Sequence, residues 1–262
     1  MIEMPRRENR WMDEIESPRG SRAIVRALSV LRAFTADRPV LTMTEIAREL
    51  DVPAPTAHRI ARTLESQGYL TRDPVTRAYG LGPEIQRLSG LIAETAKSTL
   101  DPATLIGIRN ATGETVGLHT RVSDRRVCVV EHASLEPTRV ISGYGRSYSL
   151  GAGAAGKAIL SLLPEEEVQR LVALGADPGD HPLPARQLLM EVRKVREQGY
   201  ATSSGETIRG AFAVAVPLLW NGMGAASAIN VVGPADRMTP DVVNRALDAI
   251  ARLRGIPARH RA

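Results

Sequence analysis

Apolar and polar positions follow a regular period along most of the chain, but not at its beginning. Residues 1–20 are polar, charged and aperiodic, so we expect a mobile arm there. From Ser21 onward, apolar residues recur every three or four positions, which predicts an amphipathic helix that ends at Arg38 and Pro39. The apolar face of this helix consists of Ile24, Ala27, Leu28, Leu31 and Phe34.

Two further helices and two strands are predicted directly after it. Thr42 and Glu45 have the spacing of a capping box, and a short apolar face follows at Ile46, Ala47 and Leu50. The turn DVPAP at 51–55 separates this helix from a third one over 56–67, which Gly68 would cap. Short strands are predicted over 69–72 and 77–81. Three helices and a two-stranded wing are the pattern of a winged helix-turn-helix, a DNA-binding unit.

The third helix has one apolar face and one polar face. Its apolar positions, which should pack on the first two helices, are Ala57, Ile60, Ala61 and Leu64. Hydroxyls and guanidinium groups on the other face can reach base edges and phosphates in a major groove. The candidate DNA-binding residues, including one from the second helix and two from the wing, are Thr44, Thr56, His58, Arg59, Arg62, Thr63, Arg72 and Arg77. Periodicity alone equally fits an ordinary solvated helix.

Charge and composition permit a nucleic-acid partner. The net charge is +5, and residues 17–82 hold ten arginines against six acidic residues, a local excess of +4. The chain contains one cysteine, which excludes an intrachain disulfide, and the N-terminus lacks the apolar segment of a signal peptide. Apolar runs stay well short of the roughly 20 residues that a membrane span needs. We therefore expect a cytoplasmic protein without a membrane partner, associated with the bacterial nucleoid when it is bound to DNA.

The remaining chain has a mixed α/β pattern. A helix over 84–97 is interpreted as a linker, and a glycine-rich loop covers 143–156. Helices are predicted over 102–110, 157–162, 188–198 and 240–254, with another after Pro164. Strands are predicted over 115–121, 126–132, 212–219 and 225–232. The fold class is therefore α/β overall, with a mostly helical first domain.

The glycine-rich loop contains a partial phosphate-binding motif. GAGAAGK at 151–157 has the glycine and lysine spacing of a P-loop, but Ala158 replaces the serine or threonine that would bind Mg²⁺. We interpret it as a tight turn and helix N-terminus whose N–H groups can hold a ligand carboxylate. Lys157 either contributes to such a pocket or is structural. Glu206 either gates the pocket or is a solvated loop carboxylate.

Other chemistry-bearing residues form no pattern typical of an enzyme or a metal site. The five histidines lack metal-ligand spacing, and no Ser-His-Asp order stands out. Cys128 lies in an apolar run and is interpreted as a buried strand residue rather than a redox sensor. We expect neither a cofactor nor a metal.

Several motifs give this chain a resemblance to a known family. Residues 21–82 resemble the N-terminal domain of IclR-family transcription regulators. The motifs are RALSVL at 26–31, TEIAREL at 44–50, PTAHR at 55–59, LESQGYL at 64–70 and YGLG at 79–82. The resemblance continues downstream at TGETV (112–116), GAGAAGK (151–157), Gly199-Tyr200, 210–217 and 232–234. Each fragment is weak alone, but their joint order is specific.

The resemblance implies a GAF-like effector-binding and oligomerisation domain over 100–262, after a linker over 83–99. It also implies a dimer, often a dimer of dimers, without enzymatic activity and more often a repressor than an activator. A two-fold dimer predicts a pseudo-palindromic operator in double-stranded DNA.

The resemblance places an effector pocket between the glycine-rich loop and the sheet. The implied effector-binding residues are Val140, Tyr148, Ala154, Ala155, Ser203, Ala213, Asn230 and Val232. Ala213 and Val232 replace side chains that are often polar or contain sulfur in familiar members, and Gly151 replaces a frequent histidine. Such a pocket suits a small, partly apolar organic acid or aromatic metabolite.

Two alternatives stay open at this point. One is an enzyme that converts a small metabolite and carries an appended DNA-binding domain. The other is a DNA-binding module whose C-terminal domain only dimerises. Metabolite turnover would favour the first, and ligand-dependent thermal shifts would count against the second.

Overall fold

The computed structural model describes residues 21–35, 38–96, 102–175, 180–220 and 225–253. It divides into two compact units, Met1–Glu94 and Thr95–Ala262. The arm predicted over 1–20, the end of the predicted linker and position 254 of the last predicted helix lie outside the described residues.

The first unit combines three helices with a small antiparallel sheet. The helices are α1 (Arg22–Arg32), α2 (Met43–Glu49) and α3 (Ala54–Ser66), and the strands are β1 (Val40–Leu41), β2 (Leu70–Arg72) and β3 (Tyr79–Leu81). The strand order is β1-β3-β2. This arrangement confirms the predicted winged helix-turn-helix. The two-residue strand β1 is too short to show a period in the sequence and was not predicted.

The predicted capping box at the start of α2 is present. The backbone N–H of Glu45 donates to the Thr42 hydroxyl (3.3 Å), and the backbone N–H of Thr42 donates to the Glu45 carboxylate (2.8 Å). This second bond is the main reason why the pKa of Glu45 lies below its usual value. The cap fixes where α2 starts, and therefore how α2 leads into the turn before α3.

The start of α3 and the apolar face of α1 differ from the predictions. α3 begins at Ala54 rather than 56, because Pro55 is tolerated within the first turn of a helix. In α1, Ile24 and Leu28 are 63% and 47% exposed, whereas Val30 is fully buried in the core with Ala33. Only the later turns of α1 pack on this unit's core.

A longer helix and an α/β sheet follow. α4 (Pro83–Ala96) runs across the division between the units. The further helices are α5 (Pro102–Thr112), α6 (Gly153–Ser161), α7 (Glu165–Ala173), α8 (Ala185–Gln198) and α9 (Pro240–Leu253). The strands are β4 (Thr115–Val122), β5 (Arg125–His132), β6 (Ser147–Ser149), β7 (Ala201–Ser204), β8 (Ala211–Trp220) and β9 (Ala225–Pro234). The antiparallel order β6-β5-β4-β9-β8-β7 confirms the predicted α/β class.

Helices cover both faces of this six-stranded sheet. Ala213 and Ala215 of β8 join the core cluster formed with α6, α7 and α8. Val214 and Val216, the alternate positions, join a second cluster formed with α5 and α9. The two-residue period of a strand therefore separates small side chains on one face from branched ones on the other.

The glycine-rich segment is more ordered than its composition predicts. The loop expected over 143–156 contains β6, and α6 begins at Gly153 rather than at 157. Glycine has low helix propensity, but this helix is buried along its length, so packing outweighs propensity. Similarly, α8 begins at Ala185 rather than 188, directly after Pro184, and the short strand β7 was not predicted.

Gly156 within α6 is expected to tolerate no side chain. A Cβ there would lie 2.5 Å from the backbone carbonyl oxygen of Leu150, so Gly156→Ala should lower the free energy of unfolding by about 1–3 kcal/mol. Gly107 in α5 faces open space, so Gly107→Ala should raise it by up to about 1 kcal/mol. Denaturant unfolding of both variants measures the contrast, and equal stabilities would contradict it.

Among the described residues, no helix combines the length and apolar character that crossing a membrane requires.

Candidate functional site

The polar face of α3 is the first candidate surface. Arg59, Arg62 and Thr63 are exposed on it, while Thr56 and His58 are half-buried. The Thr63 hydroxyl donates to the carbonyl oxygen of Arg59 (3.0 Å), so its oxygen remains an acceptor for another donor. Within the described part of the chain, neither arginine forms an ion pair. Thr44 is exposed on α2.

The opposite face of α3 is apolar, as predicted. Ala57, Ile60, Ala61 and Leu64 are buried in the core cluster of the first unit. The helix is therefore held by one face and presents the other to solvent. This is the arrangement that a helix needs in order to enter a major groove.

The wing between β2 and β3 is closed by Asp73. Its carboxylate accepts from the backbone N–H groups of Val75 (2.9 Å) and Thr76 (2.6 Å), and these bonds lower the pKa of Asp73. Arg77 is exposed and has a φ of 61°. Arg72 is half-buried, donates to the Arg77 carbonyl (3.3 Å) and lies over an aromatic ring in β3. Arg77 is therefore the more accessible of the two predicted wing arginines.

The second candidate site is a small cavity beside the start of α6. Most of the predicted effector-binding residues line it, namely Tyr148, Ala154, Ala155, Ser203, Ala213, Asn230 and Val232. Val140 instead packs, half-buried, against the core cluster that includes α6. The fold thus brings together positions that are far apart in the sequence.

A buried ion pair lies next to the cavity. The ammonium group of Lys157 in α6 is 2.6 Å from the Glu206 carboxylate, and their side chains are 2% and 7% exposed. Glu206 also accepts from the backbone N–H of Gly153 (2.8 Å), at the start of α6. The interpretation of Glu206 as a solvated loop carboxylate is therefore wrong. Its carboxylate lines the cavity while joining the loop after β7 to α6.

Arg126 in β5 is a cavity residue that sequence reasoning missed. It is only 4% exposed, and its guanidinium lies 4.6 Å from the centre of the Tyr148 ring. One terminal nitrogen is 3.0 Å from His119 Nδ1, and the other donates to the carbonyl oxygen of Ala152 (3.4 Å). Burial lowers the pKa of Arg126 to about 10, so the group stays charged at neutral pH. The sequence did contain one signal that Arg126 is buried. It lies two positions from Cys128, which was predicted to be a buried strand residue.

His119 and Cys128 are buried on the neighbouring strands. Burial, reinforced by the charge of Arg126, keeps the pKa of His119 well below its usual 6.5, so the ring is neutral and accepts at Nδ1. Burial raises the pKa of the Cys128 thiol to about 12, which leaves it protonated and unreactive. Among the described residues, no group of three or more metal-binding side chains is arranged to hold a metal.

His119 is expected to make stability depend on pH. Below 6.5 the unfolded chain takes up a proton at this position while the folded chain does not, so acidification favours unfolding. Each pH unit below 6.5 should cost up to about 1.4 kcal/mol, with no effect above it. Denaturant titrations at several pH values measure the slope. His119→Asn keeps an acceptor for Arg126 and should flatten it, so an unchanged slope in this variant would contradict the assignment.

The folds of the two units together define the class of protein. The first unit is a winged helix-turn-helix whose third helix has an exposed polar face, and the second is an α/β domain that contains a partly enclosed cavity lined by apolar and polar residues. Two family models match this chain: "IclR helix-turn-helix domain" over residues 23–74 and "Bacterial transcriptional regulator IclR C-terminal" over residues 92–253. The chain belongs to the IclR family and is a helix-turn-helix transcriptional regulator.

Individual relatives agree with this assignment. The probable transcriptional regulator SauR of Cupriavidus necator is 30% identical over 224 residues, which cover 84% of this chain and 88% of SauR. The transcriptional repressor AllR of Salmonella typhi is 25% identical over 252 residues, or 92% and 90% of the two chains. The crystal structure of an IclR homologue from Microbacterium hydrocarbonoxydans, complexed with 4-hydroxybenzoate, has a TM-score of 0.73. It is 18% identical and covers 88% of this chain and 97% of its own, so it supports the fold.

Proposed function

We propose that this regulator is controlled by a small organic effector. Residues 21–82 bind an operator in double-stranded DNA, residues 83–99 connect the domains, and residues 100–262 bind the effector and join the subunits of a dimer or a dimer of dimers. Repression is the proposed mode, by analogy with the repressor AllR. These assignments rest on the family and on the positions of the candidate residues.

The exposure of two arginines on α3 is the main support for the proposed DNA binding. Arg59 and Arg62 lie exposed on α3, while the opposite face of that helix is buried in the core. Arginine can bond bidentately to guanine or to a phosphate, so these two side chains supply sequence readout and electrostatic attraction. Thr44, Thr56, His58, Thr63 and the wing arginines are proposed as the surrounding contacts.

The cavity supports effector control. It combines apolar walls with a few polar groups, which is typical of small-molecule sites. The IclR homologue crystallised with 4-hydroxybenzoate is a precedent for a small aromatic acid. A ligand changes DNA binding only if its affinity differs between two arrangements of the dimer. Because α4 continues from one unit into the next, it is the proposed route of that coupling.

Binding of the full chain to the DNA upstream of its own gene tests this function. The assay uses a labelled fragment, a scrambled competitor of equal length and two salt concentrations. We expect preference for the native fragment and an affinity that falls steeply with salt. Equal affinity for the scrambled fragment would reduce the DNA-binding role to non-specific attraction.

Two parallel measurements separate the alternatives. Light scattering of the purified chain gives the oligomeric state, and a monomer would contradict the two-fold operator model. Incubation with the compounds that shift thermal stability, followed by product analysis, tests the enzyme alternative. Turnover of a bound compound would favour that alternative over simple effector binding.

A further inference from the structure

We infer that the cavity binds its effector through a carboxylate, with the guanidinium of Arg126 as the counter-ion. This inference rests on the proposed effector site and names the chemical class that the site accepts. The ligand is a small monocarboxylate with an apolar body.

Arg126 is the one charged side chain lining the cavity that forms no ion pair among the described residues. Lys157 and Glu206 neutralise each other across 2.6 Å. Burial keeps His119 neutral by lowering its pKa, and burial keeps the Tyr148 hydroxyl protonated by raising its pKa. Arg126 remains as a positive charge on the cavity wall, and the charge of Asp180 acts on it without forming an ion pair.

Arg126 also has unused hydrogen-bonding capacity. A guanidinium has five N–H donors, of which His119 Nδ1 and the carbonyl of Ala152 engage two. Its Nε lacks a hydrogen-bond partner among the described residues, although the atom is buried. No carboxylate in that part of the chain lies within ion-pair distance of Arg126, although the negative charge of Asp180 raises the pKa of the guanidinium.

A buried charge without a directly bonded counter-ion is costly, because it has lost its hydration. The chain holds this charge in place through Tyr148, whose ring stacks on the guanidinium, and through His119. A carboxylate matches the planar fork of arginine and can accept two parallel N–H bonds. The ligand therefore supplies the directly bonded carboxylate that Arg126 lacks among the described residues.

The other walls define the rest of the ligand. Ala154, Ala155, Ile208, Ala213 and Val232 give an apolar surface. Glu206 on the same wall disfavours a second carboxylate nearby, since like charges repel in a buried site. Asn230 has a buried side-chain oxygen without a partner among the described residues, and it offers one polar contact to a hydroxyl or amide.

Thermal unfolding of the full chain with matched pairs of small probes tests this inference. The probes are acetate, propionate and benzoate, each compared with its neutral amide at equal ionic strength adjusted with sodium chloride. We expect the unfolding temperature to rise with at least one carboxylate and to stay unchanged with its amide. If no carboxylate raises it more than the matched amide at millimolar concentration, the inference is overturned, and this comparison needs no variant.

Arg126→Met removes the charge and keeps a similar length. Affinity for the stabilising carboxylate is expected to fall by about tenfold to a hundredfold, the worth of a lost charge-assisted hydrogen-bond pair. Arg126→Lys keeps the charge without the fork and should bind with intermediate affinity. Arg186→Met, an exposed arginine on α8, is the matched control and should bind normally. Undiminished affinity in a folded Arg126→Met protein would overturn the inference.

The operator assay separates failure of this inference from failure of the proposed function. Specific operator binding that responds to a neutral compound, but to no carboxylate, would retain the regulator and refute the role of Arg126. A carboxylate response that depends on Arg126, without specific DNA binding, would retain the site and refute the proposed regulator function.

Discussion

Replacing Lys157 by methionine is expected to lower the free energy of unfolding by about 3–5 kcal/mol, the usual cost of removing one partner of a buried ion pair. The cost arises because Glu206 would keep a buried negative charge without its counter-ion. Gly153 would still donate a backbone hydrogen bond to that carboxylate, but one neutral donor replaces little of a lost ammonium group. Chemical denaturation of the purified variant measures the change.

Lys194→Met is the matched control for this experiment. Lys194 is exposed on α8, in the same unit, so its replacement should change stability by no more than about 0.5 kcal/mol. The double variant Lys157→Met/Glu206→Leu removes both charges and should regain much of the loss, because an apolar pair replaces an unpaired ion. Equal stability of Lys157→Met and Lys194→Met would show that the buried pair has no energetic role.

The double variant Arg59→Ala/Arg62→Ala is expected to weaken operator binding by about thirtyfold or more. Each base or phosphate contact of an arginine is worth about 1–3 kcal/mol, and two are removed. Folding should be unaffected, because both side chains are exposed and form no ion pair within the described residues. Fluorescence anisotropy with the upstream fragment gives the ratio of dissociation constants.

A second double variant separates local contacts from total charge. Arg186→Ala/Lys194→Ala removes the same two positive charges from exposed positions on α8. We expect its operator affinity to stay within a few-fold of that of the unmodified chain. If both double variants lose the same affinity, the effect is one of net charge, and α3 would lose its role as the reading helix.

The sequence was sufficient to predict the first unit in most respects. The capping box at Thr42, the apolar spacing in α3 and the glycine after it each have a local cause, so local patterns define the elements. The exposed Ile24 and Leu28 show the limit of this reasoning. Periodicity identifies an apolar face, but it does not indicate how much of that face the same unit covers.

The chemistry of the cavity was harder to predict, because its groups meet only through the sheet. Arg126 and His119 lie on paired strands, and Glu206 meets Lys157 across 49 positions of sequence. A charged residue is normally assigned to the surface unless a partner is known, and none of these partners is close in sequence. The resemblance supplied most of the cavity lining, including the polar residues Tyr148, Ser203 and Asn230, but not Arg126, the charge on which our inference about the effector rests.

Alternate side chains of β8 lie on opposite faces of the sheet, so contact with a ligand and packing of the core on the far face depend on different residues. Ala213 faces the cavity, while Val214 and Val216 beside it belong to the core on the other side of the sheet. A change of one methyl group at Ala213 would therefore alter the space for a guest molecule and leave the packing beneath α5 and α9 untouched. Because Ala213 also packs in the core cluster formed with α6, substitutions that the cavity can accommodate are the ones that would retune ligand preference, for example in a biosensor, at low cost to folding.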